Sequence, residues 1–503
     1  MPNHLYDRLF APHAGSDRTF LVLPDGARIS YADFLGLTAR YAHALKGLGL
    51  ETGDRIALQL AKSPEMLALV AASIQAGVVF LPLNTAYTAA EVHYFVENSG
   101  ARVLVCDPGD ADKLTAVAAA CEAQLVTLGS DGQGSFADLA ERQPAVFETV
   151  DRGADDLAAF LYTSGTTGRS KGAMLSHDNL LSNAEVLADY WRFTADDVLL
   201  HALPIFHTHG LFVATNVILL TGAAMIFVPK FDAAEMIRLM PQATTMMGVP
   251  TFYTRLLDDP RFDRDLVAGM RLFVSGSAPL LAETHRQFED RTGHRILERY
   301  GMTETNMNTS NPYDGDRRAG TVGVPLPGVE VKVCDAEGAE LPAGEIGTLE
   351  VRGPNVFQGY WQMPEKTAKE LRADGFFITG DLAFMDADGY VTIVGRGKDL
   401  IISGGFNIYP KELELLLDDQ PGVLESAVIG VPHPDFGETP LGLIVATPGA
   451  APDLDTIMED LRARLARFKH PRELLMIDAL PRNTMGKVQK AALRDAYRDR
   501  FSA

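Results

Sequence analysis

Over most of the chain, apolar positions gather into two kinds of run: helix-length stretches with polar interruptions, and short continuous strings. Residues 65–77 read as a helix and 78–82 as the strand that follows; 87–99 and 101–106 repeat that order. Such alternation predicts an α/β protein with substantial parallel sheet. The longest apolar stretches, 66–83 and 213–229, are broken by Gln75 and Asn216 and contain glycine. They read as buried helix-then-strand units, not as membrane spans. From about 322 to 396 the runs shorten. Residues 329–334, 347–352 and 391–394 lie between Gly, Pro and Asp turns, which predicts a small β-rich subdomain. Beyond Lys398 the pattern is α+β: a helix at 411–419, strands at 427–431 and 443–447, and a stretch, 455–468, that puts Ile457, Leu461, Leu465 and Phe468 on one helical face.

The expected organisation follows. Residues 1–395 form a large domain of α/β layers, with the β-rich subdomain at about 322–395. Residues 396–399 form a hinge, and 400–503 form a small, mobile α+β domain.

Composition narrows the function. The 503 residues are 47% hydrophobic and 22% charged, an ordinary globular balance. The 45 Lys+Arg against 66 Asp+Glu leave a net charge of −21, which argues against nucleic acid or a membrane surface as partner. Residues 1–11 lack the apolar core of a secretory signal. Cys106, Cys121 and Cys334 are far apart and without CxxC spacing, so a reducing, cytoplasmic setting is expected and neither a disulfide framework nor a zinc site is.

The segment Tyr162-Thr-Ser-Gly-Thr-Thr-Gly-Arg-Ser-Lys-Gly172 holds three glycines, five Ser/Thr hydroxyls and one lysine in eleven residues. Glycines let backbone N–H groups approach phosphate oxygens, hydroxyls add donors, and Lys171 adds charge, so the stretch reads as a polyphosphate cradle. It is not a Walker A loop: Ser170 precedes the lysine and Gly172 follows it.

With these residues the chain resembles the acyl-adenylate-forming superfamily, which includes acyl-CoA synthetases. Arg299-Tyr-Gly-Met-Thr-Glu304, Thr379-Gly-Asp381, Gly395-Arg-Gly-Lys-Asp399 running into Gly404-Gly-Phe-Asn-Ile-Tyr-Pro410, and Pro481-Arg-Asn-Thr-Met-Gly-Lys487 match in the same order. The resemblance implies two half-reactions: a carboxylate displaces pyrophosphate from ATP, and a thiol then displaces AMP from the acyl-adenylate. It also implies roles for residues. Thr163, Ser164, Gly165, Thr166, Thr167, Gly168 and Lys171 would grip the β- and γ-phosphates, and Thr303 would donate to the α-phosphate. Glu304 would hold Mg2+. Tyr300 and Gly301, with Gly276, Ser277 and Ala278, would flank adenine, while Asp381 and Arg396 would bind the ribose. Lys487 would bridge the carboxylate and the α-phosphate, Lys398 would be the pivot, and Gly404 and Gly405 would line the channel for coenzyme A.

The acid is read from other segments. His207-Thr-His209-Gly210 has no third metal ligand near it in sequence, and His209 is expected to line the acyl site. Arg255 stands in an otherwise apolar stretch with Phe252, Tyr253, Leu256 and Leu257. An unpaired cation is costly to bury, so Arg255 is expected to pair either with Asp258 or Asp259 at the surface or, helped by Ser277, with a second carboxylate on the substrate. The chain resembles the malonyl-CoA synthetases at these positions, which implies malonate, with methylmalonate as a further substrate. A short-chain monocarboxylate, or transfer to a carrier protein in place of CoA, are the alternatives; a monomer or homodimer is expected. Because ATP, malonate and CoA are all anions, affinity must come from short-range cations set against an acidic whole.

Overall fold

The helix-then-strand reading of 65–82 resolves into the helix Pro64–Gln75 and the strand Val79–Pro82. Ser63 caps that helix by accepting from the Met66 amide, and Pro64 occupies the first turn, where its missing N–H costs nothing. The chain is seen in a computed structural model that describes residues 2–163, 170–403, 406–434, 436–465, 467–483 and 486–501. It is a mixed α/β protein with a large N-terminal domain and a small C-terminal one.

Two sheets carry the large domain. In the first, Val79–Pro82 runs parallel to Arg55–Gln59, which runs parallel to Val103–Cys106 and so to Gln124–Thr127. Its other end is the antiparallel pair Leu157–Thr163 and Lys171–Ser176, in which Thr163 faces Lys171. This pair brackets the phosphate segment; residues 164–169 lie outside the described residues. The second sheet has nine strands. Thr19–Val22, Ala224–Phe227, Val198–His201, Thr245–Gly248, Leu272–Ser275 and Leu297–Met302 are successive parallel neighbours. Antiparallel strands close both edges.

The β-rich segment is an antiparallel sheet of Glu330–Cys334, Gly347–Arg352, Phe377–Met385 and Val391–Arg396. The apolar pattern does not mark one element there: the helix Pro364–Glu370, inserted between the second and third strands and carrying no buried residue. In the small domain the strands Val423–His433 and Gly437–Ala446 form a long hairpin, and Glu473–Met476 adds to it in parallel. The stretch expected to be helical over 455–468 is the helix Leu454–Arg464 followed, after a break, by the 3-10 turn Arg467–Lys469. Two apolar clusters, one around Ile401 and Leu461 and one around Ile429 and Leu441, are built wholly from residues beyond 400, so this part has a core of its own. Among the described residues no helix is long and apolar enough to cross a membrane. All three cysteines are free.

Candidate active site

In an open parallel sheet, ligands bind beyond the carboxyl ends of the strands. In the nine-stranded sheet, four such ends lead into the segments singled out in the sequence. His201 ends one strand and leads to His207–Gly210; Gly248 ends another and leads to Pro250. Ser275 leads to Gly276-Ser277-Ala278, and Met302 leads to Thr303-Glu304. Motifs far apart in sequence therefore share one rim.

On the nucleotide side, Asp381 and Arg396 are register partners on adjacent strands, and Arg396 Nε lies 2.6 Å from Asp381 Oδ1. The Tyr300 hydroxyl donates to Asp381 Oδ2 at 2.5 Å. Arg396 loses solvation in this setting, which lowers its pKa, but Asp381, Tyr300, Glu304 and Asp399 together outweigh that loss and raise it. The carboxylate is thus buried and oriented from two sides.

Glu304 is 4% exposed and sits in the turn between Leu297–Met302 and Asn306–Ser310. That turn is tight: a Cβ on Gly301 would lie 1.9 Å from the Asn306 carbonyl oxygen, so only glycine fits. Glu304 Oε1 accepts from the Thr163 hydroxyl at 3.3 Å and from the Tyr360 hydroxyl at 3.0 Å. Among the described residues both bonds fall on one oxygen, and no side chain hydrogen-bonds the other. A hard, oxygen-donating, buried carboxylate beside the phosphate segment fits a Mg2+ ion that takes its other ligands from phosphate and water. Lys171 is 8% exposed, 3.5 Å from Glu370 Oε2, and its ammonium stands 4.0 Å from the Tyr360 ring centre. Burial lowers its pKa, and Glu370 and Glu304 oppose the shift. Lys366 holds the other oxygen of Glu370 at 2.5 Å. Tyr360, Lys366 and Glu370 escape the sequence reading, because an aromatic and two charges around a short surface helix carry no pattern of their own.

On the acyl side, Ser277 adopts φ +70°, unusual for a residue with a side chain. Its hydroxyl lies 3.2 Å from His209 Nδ1. Beneath it, Arg299 is 3% exposed, and its Nε and Nη2 have no hydrogen-bond partner among the described residues. The guanidinium lies against Gly276, where a Cβ would come within 2.4 Å of Cζ. Burial lowers the Arg299 pKa to about 9, which leaves it charged at neutral pH. Burial, then the charge of Arg299, push the His209 pKa far down, so that imidazole is neutral. His207 is lowered to about 3 by burial, then by Lys487 and Arg299.

Arg255 is the cation that the sequence reading sets against a second carboxylate. It lies on the helix Pro250–Leu257, which turns Tyr253 and Leu256 inward, Tyr253 donating to the Val274 carbonyl. Arg255 itself is exposed. Nor does it pair with Asp259, which is held by Arg261. The buried, unpartnered cation is Arg299, five residues before Glu304 in the same motif.

Lys487 enters from the small domain. Its loop is closed by Asn483, which accepts from the Gly486 and Lys487 amides. Gly486, at φ +76°, approaches Thr251 of the acyl-side helix: a Cβ there would lie 3.5 Å from Thr251 Oγ1. Lys487 keeps solvent contact while the cleft walls surround it. That enclosure, then Arg396, lower its pKa to about 8, against the pull of Asp381 and Glu304. Lys398 is exposed in the single turn Gly397–Asp399. Ser164, Gly165, Thr166, Thr167, Gly168, Gly404 and Gly405 lie outside the described residues.

The chain that brings together a carboxylate oriented by Tyr300 and Arg396, the buried carboxylate of Glu304 and Lys487 of the small domain matches known proteins along its length. Residues 10–361 match the family described as AMP-binding enzyme, and residues 412–487 match the AMP-binding enzyme C-terminal domain. The chain belongs to the AMP-binding enzyme family. It is an acyl-CoA ligase that works through an acyl-adenylate, with ATP and CoA as substrates. ATP-bound MatB from Rhodopseudomonas palustris is 57% identical over 100% of both chains and superposes with a TM-score of 0.98. The apo form of the same protein superposes with 0.87. A feruloyl-CoA synthase of Amycolatopsis sp is 36% identical over 97% of this chain and 96% of its own. A malonate–CoA ligase of Arabidopsis thaliana is 35% identical over 89% of this chain and 79% of its own. As a family member, the enzyme has the α/β fold class that the sequence reading expects, with a large N-terminal and a small C-terminal domain.

Proposed function

We propose that this ligase activates malonate, and methylmalonate as a second substrate, and transfers the acyl group to coenzyme A. One observation carries the reading: a buried guanidinium, Arg299, with two unpartnered N–H groups beside the Ser277–His209 pair. An acyl chain ending in a methyl group or a ring leaves those donors unpaired, which is costly. A dicarboxylate satisfies them, and the second carboxylate gains a fork-shaped partner. The 57% identity to MatB, against 36% to the feruloyl-CoA synthase, supports a compact acid over an aromatic one.

The residues then divide the work. Asp381, fixed by Tyr300 and Arg396, accepts the ribose hydroxyls. Lys171 leaves Glu370 for the terminal phosphates, and Thr303 donates to the α-phosphate. Glu304 holds Mg2+, which when bound offsets the negative charge on the phosphate oxygens. Arg299 and Ser277 take the distal carboxylate, which sets the reacting carboxylate toward the α-phosphorus. Lys487 lies between two anions that repel each other and offsets that repulsion in the transition state. Withdrawal of its loop by rotation at Lys398 then admits the thiol of CoA, which attacks the acyl carbon and displaces AMP.

Pyrophosphate exchange measured with acetate, butyrate, malonate, succinate and ferulate tests the assignment. The expected order has malonate first by a wide margin. Equal or better exchange with a monocarboxylate overturns it. Mass spectrometry of the product formed with CoA alone separates transfer to CoA from transfer to a carrier protein.

A further inference from the structure

Behind the acyl side lies a lysine that the reaction described above does not use. Lys62 has no carboxylate partner among the described residues. Its Nζ lies 2.8 Å from His201 Nδ1 and donates to the His201 carbonyl, also at 2.8 Å; it stands 4.4 Å from the Phe227 ring centre. His201 ends a strand of the nine-stranded sheet and is 1% exposed. Its Nε2 lies 2.9 Å from the Gly210 carbonyl oxygen.

These contacts allow one arrangement of protons. A carbonyl oxygen only accepts, so Nε2 of His201 carries the proton and donates to Gly210. Burial, then the neighbouring Lys62, hold the His201 pKa far down, so the ring is neutral and Nδ1 has no proton. Nδ1 is therefore the acceptor for Lys62. The Gly210 carbonyl also accepts from the Thr215 hydroxyl at 2.9 Å.

Gly210 is the second residue of a π-helical segment, His209–Thr215, that leads on into the helix Asn216–Thr221. π-Helical turns are rare and persist where surrounding contacts hold them. Here the hold is tight: a Cβ on Gly210 would lie 2.1 Å from the Pro204 carbonyl oxygen. The first residue of the segment is His209, whose Nδ1 meets Ser277.

We propose that Lys62 and His201 are positioning residues for the acyl pocket: Lys62 fixes the tautomer of His201, and His201 pins the Gly210 carbonyl so that the π-helical turn presents His209 to Ser277. Without the pin, the segment relaxes toward α-helical spacing and rotates His209 away from Ser277. The acid then loses a preformed wall, while the nucleotide side, built on other strands, is unaffected. The inference rests on His209 and Ser277 lining the acyl pocket, and it holds for whichever acid the enzyme activates.

The test is a double-mutant cycle read by pyrophosphate exchange, using the acid that the wild type activates best. Lys62→Met is expected to raise KM for the acid by about tenfold, the scale of one buried hydrogen bond, with KM for ATP unchanged. Lys62→Arg keeps a donor and restores most of the loss. His201→Gln places an amide N–H near the position of Nε2 and has no tautomer to fix, so Lys62→Met should add little in that background. Equal rises in both KM values, or the same Lys62→Met penalty with and without His201→Gln, overturn the relay. If Lys62→Met does not fold, Lys62→Arg and the His201→Gln pair still give the acid-against-ATP split. A wild type that ignores malonate overturns the proposed substrate and leaves this test standing.

Discussion

The guanidinium of Arg299 fills the space that any side chain at Gly276 would need, with Cζ at 2.4 Å and Nη1 at 2.5 Å from an added Cβ. The glycine proposed to flank adenine and the cation proposed for the acyl pocket are therefore one fitted unit. Gly276→Ala should push the guanidinium out of place and weaken malonate activation without unfolding the sheet. Arg299→Leu should lose more, on the order of 2–5 kcal/mol in kcat/KM for malonate, as when one partner of a buried charge pair is removed. Exchange kinetics measure both. ATP binding by calorimetry should be nearly unchanged, and full malonate activity in Arg299→Leu would falsify the dicarboxylate reading.

Arg255 supplies the contrast. Its side chain is exposed on the helix Pro250–Leu257, and it has no ion-pair partner among the described residues. Arg255→Leu should change stability by less than about 0.5 kcal/mol, as for ordinary surface positions, and leave KM for malonate where it was. A selective loss of malonate in this variant would return the pocket to the helix.

The two arginines also mark the boundary of what a sequence can tell. Ordered motifs are local, so the phosphate segment, Glu304, Asp381 and Lys487 are legible from residue order alone. The choice between Arg255 and Arg299 is not. Leu297, Glu298 and Arg299 are all buried, because their strand is covered on both faces, so no alternation marks which side chain enters the pocket. In the helix Pro250–Leu257 the charge stands on the face opposite the buried Tyr253 and Leu256, and residue order does not say whether that face meets ligand or bulk water. Tyr360 reaches Glu304 across 56 residues of sequence, and Lys62 reaches His201 across 139. No spacing rule joins such pairs.

Tyr360 offers a test of the cation site. Its hydroxyl is one of two that hold Glu304 Oε1, and its ring faces Lys171. Tyr360→Phe keeps the ring and removes the donor. The loss of one hydrogen bond to a charged group, about 1.5–3 kcal/mol, frees Glu304 to turn. Half-maximal exchange should then require several-fold more Mg2+, with KM for malonate unaltered. A titration of exchange rate against Mg2+ at fixed ATP measures this, and an unchanged midpoint would remove Tyr360 from the site.

Lys487, in its proposed role, should set the alkaline limit of adenylation. Its pKa in the free enzyme is lowered to about 8 from the ordinary 10.5. The useful cation is present below about 8 and is lost as pH rises through that value, so kcat/KM should fall on that limb. Bound phosphates favour the charged form, so the limb of kcat at saturating ATP should lie higher. For stability the sign is opposite. The folded state resists the proton, the penalty is full below about 8, and it disappears as pH rises toward 10.5. Lys487→Ala should remove the limb and reduce exchange by roughly a hundredfold or more. Thioester formation from a supplied acyl-adenylate should survive.

Asp399 ties the proposed pivot to the far end of the chain. Arg494, on the C-terminal helix Lys490–Ala496, donates to Asp399 Oδ1 at 2.7 Å, and Asp399 follows Lys398 directly. The C-terminal side of the hinge is thus anchored in the small domain, and Arg396, on the other side, is anchored to Asp381. Rotation between half-reactions must then be absorbed by the Gly397–Lys398 backbone, since both ends are held. Lys398→Pro fixes φ near −65° at one of these two residues. Adenylation, which uses the arrangement seen here, should persist. Transfer to CoA should fall by at least about tenfold, a barrier increase of about 1.4 kcal/mol. Single-turnover assays of each half-reaction separate the two, and equal losses in both would mean that the pivot lies elsewhere.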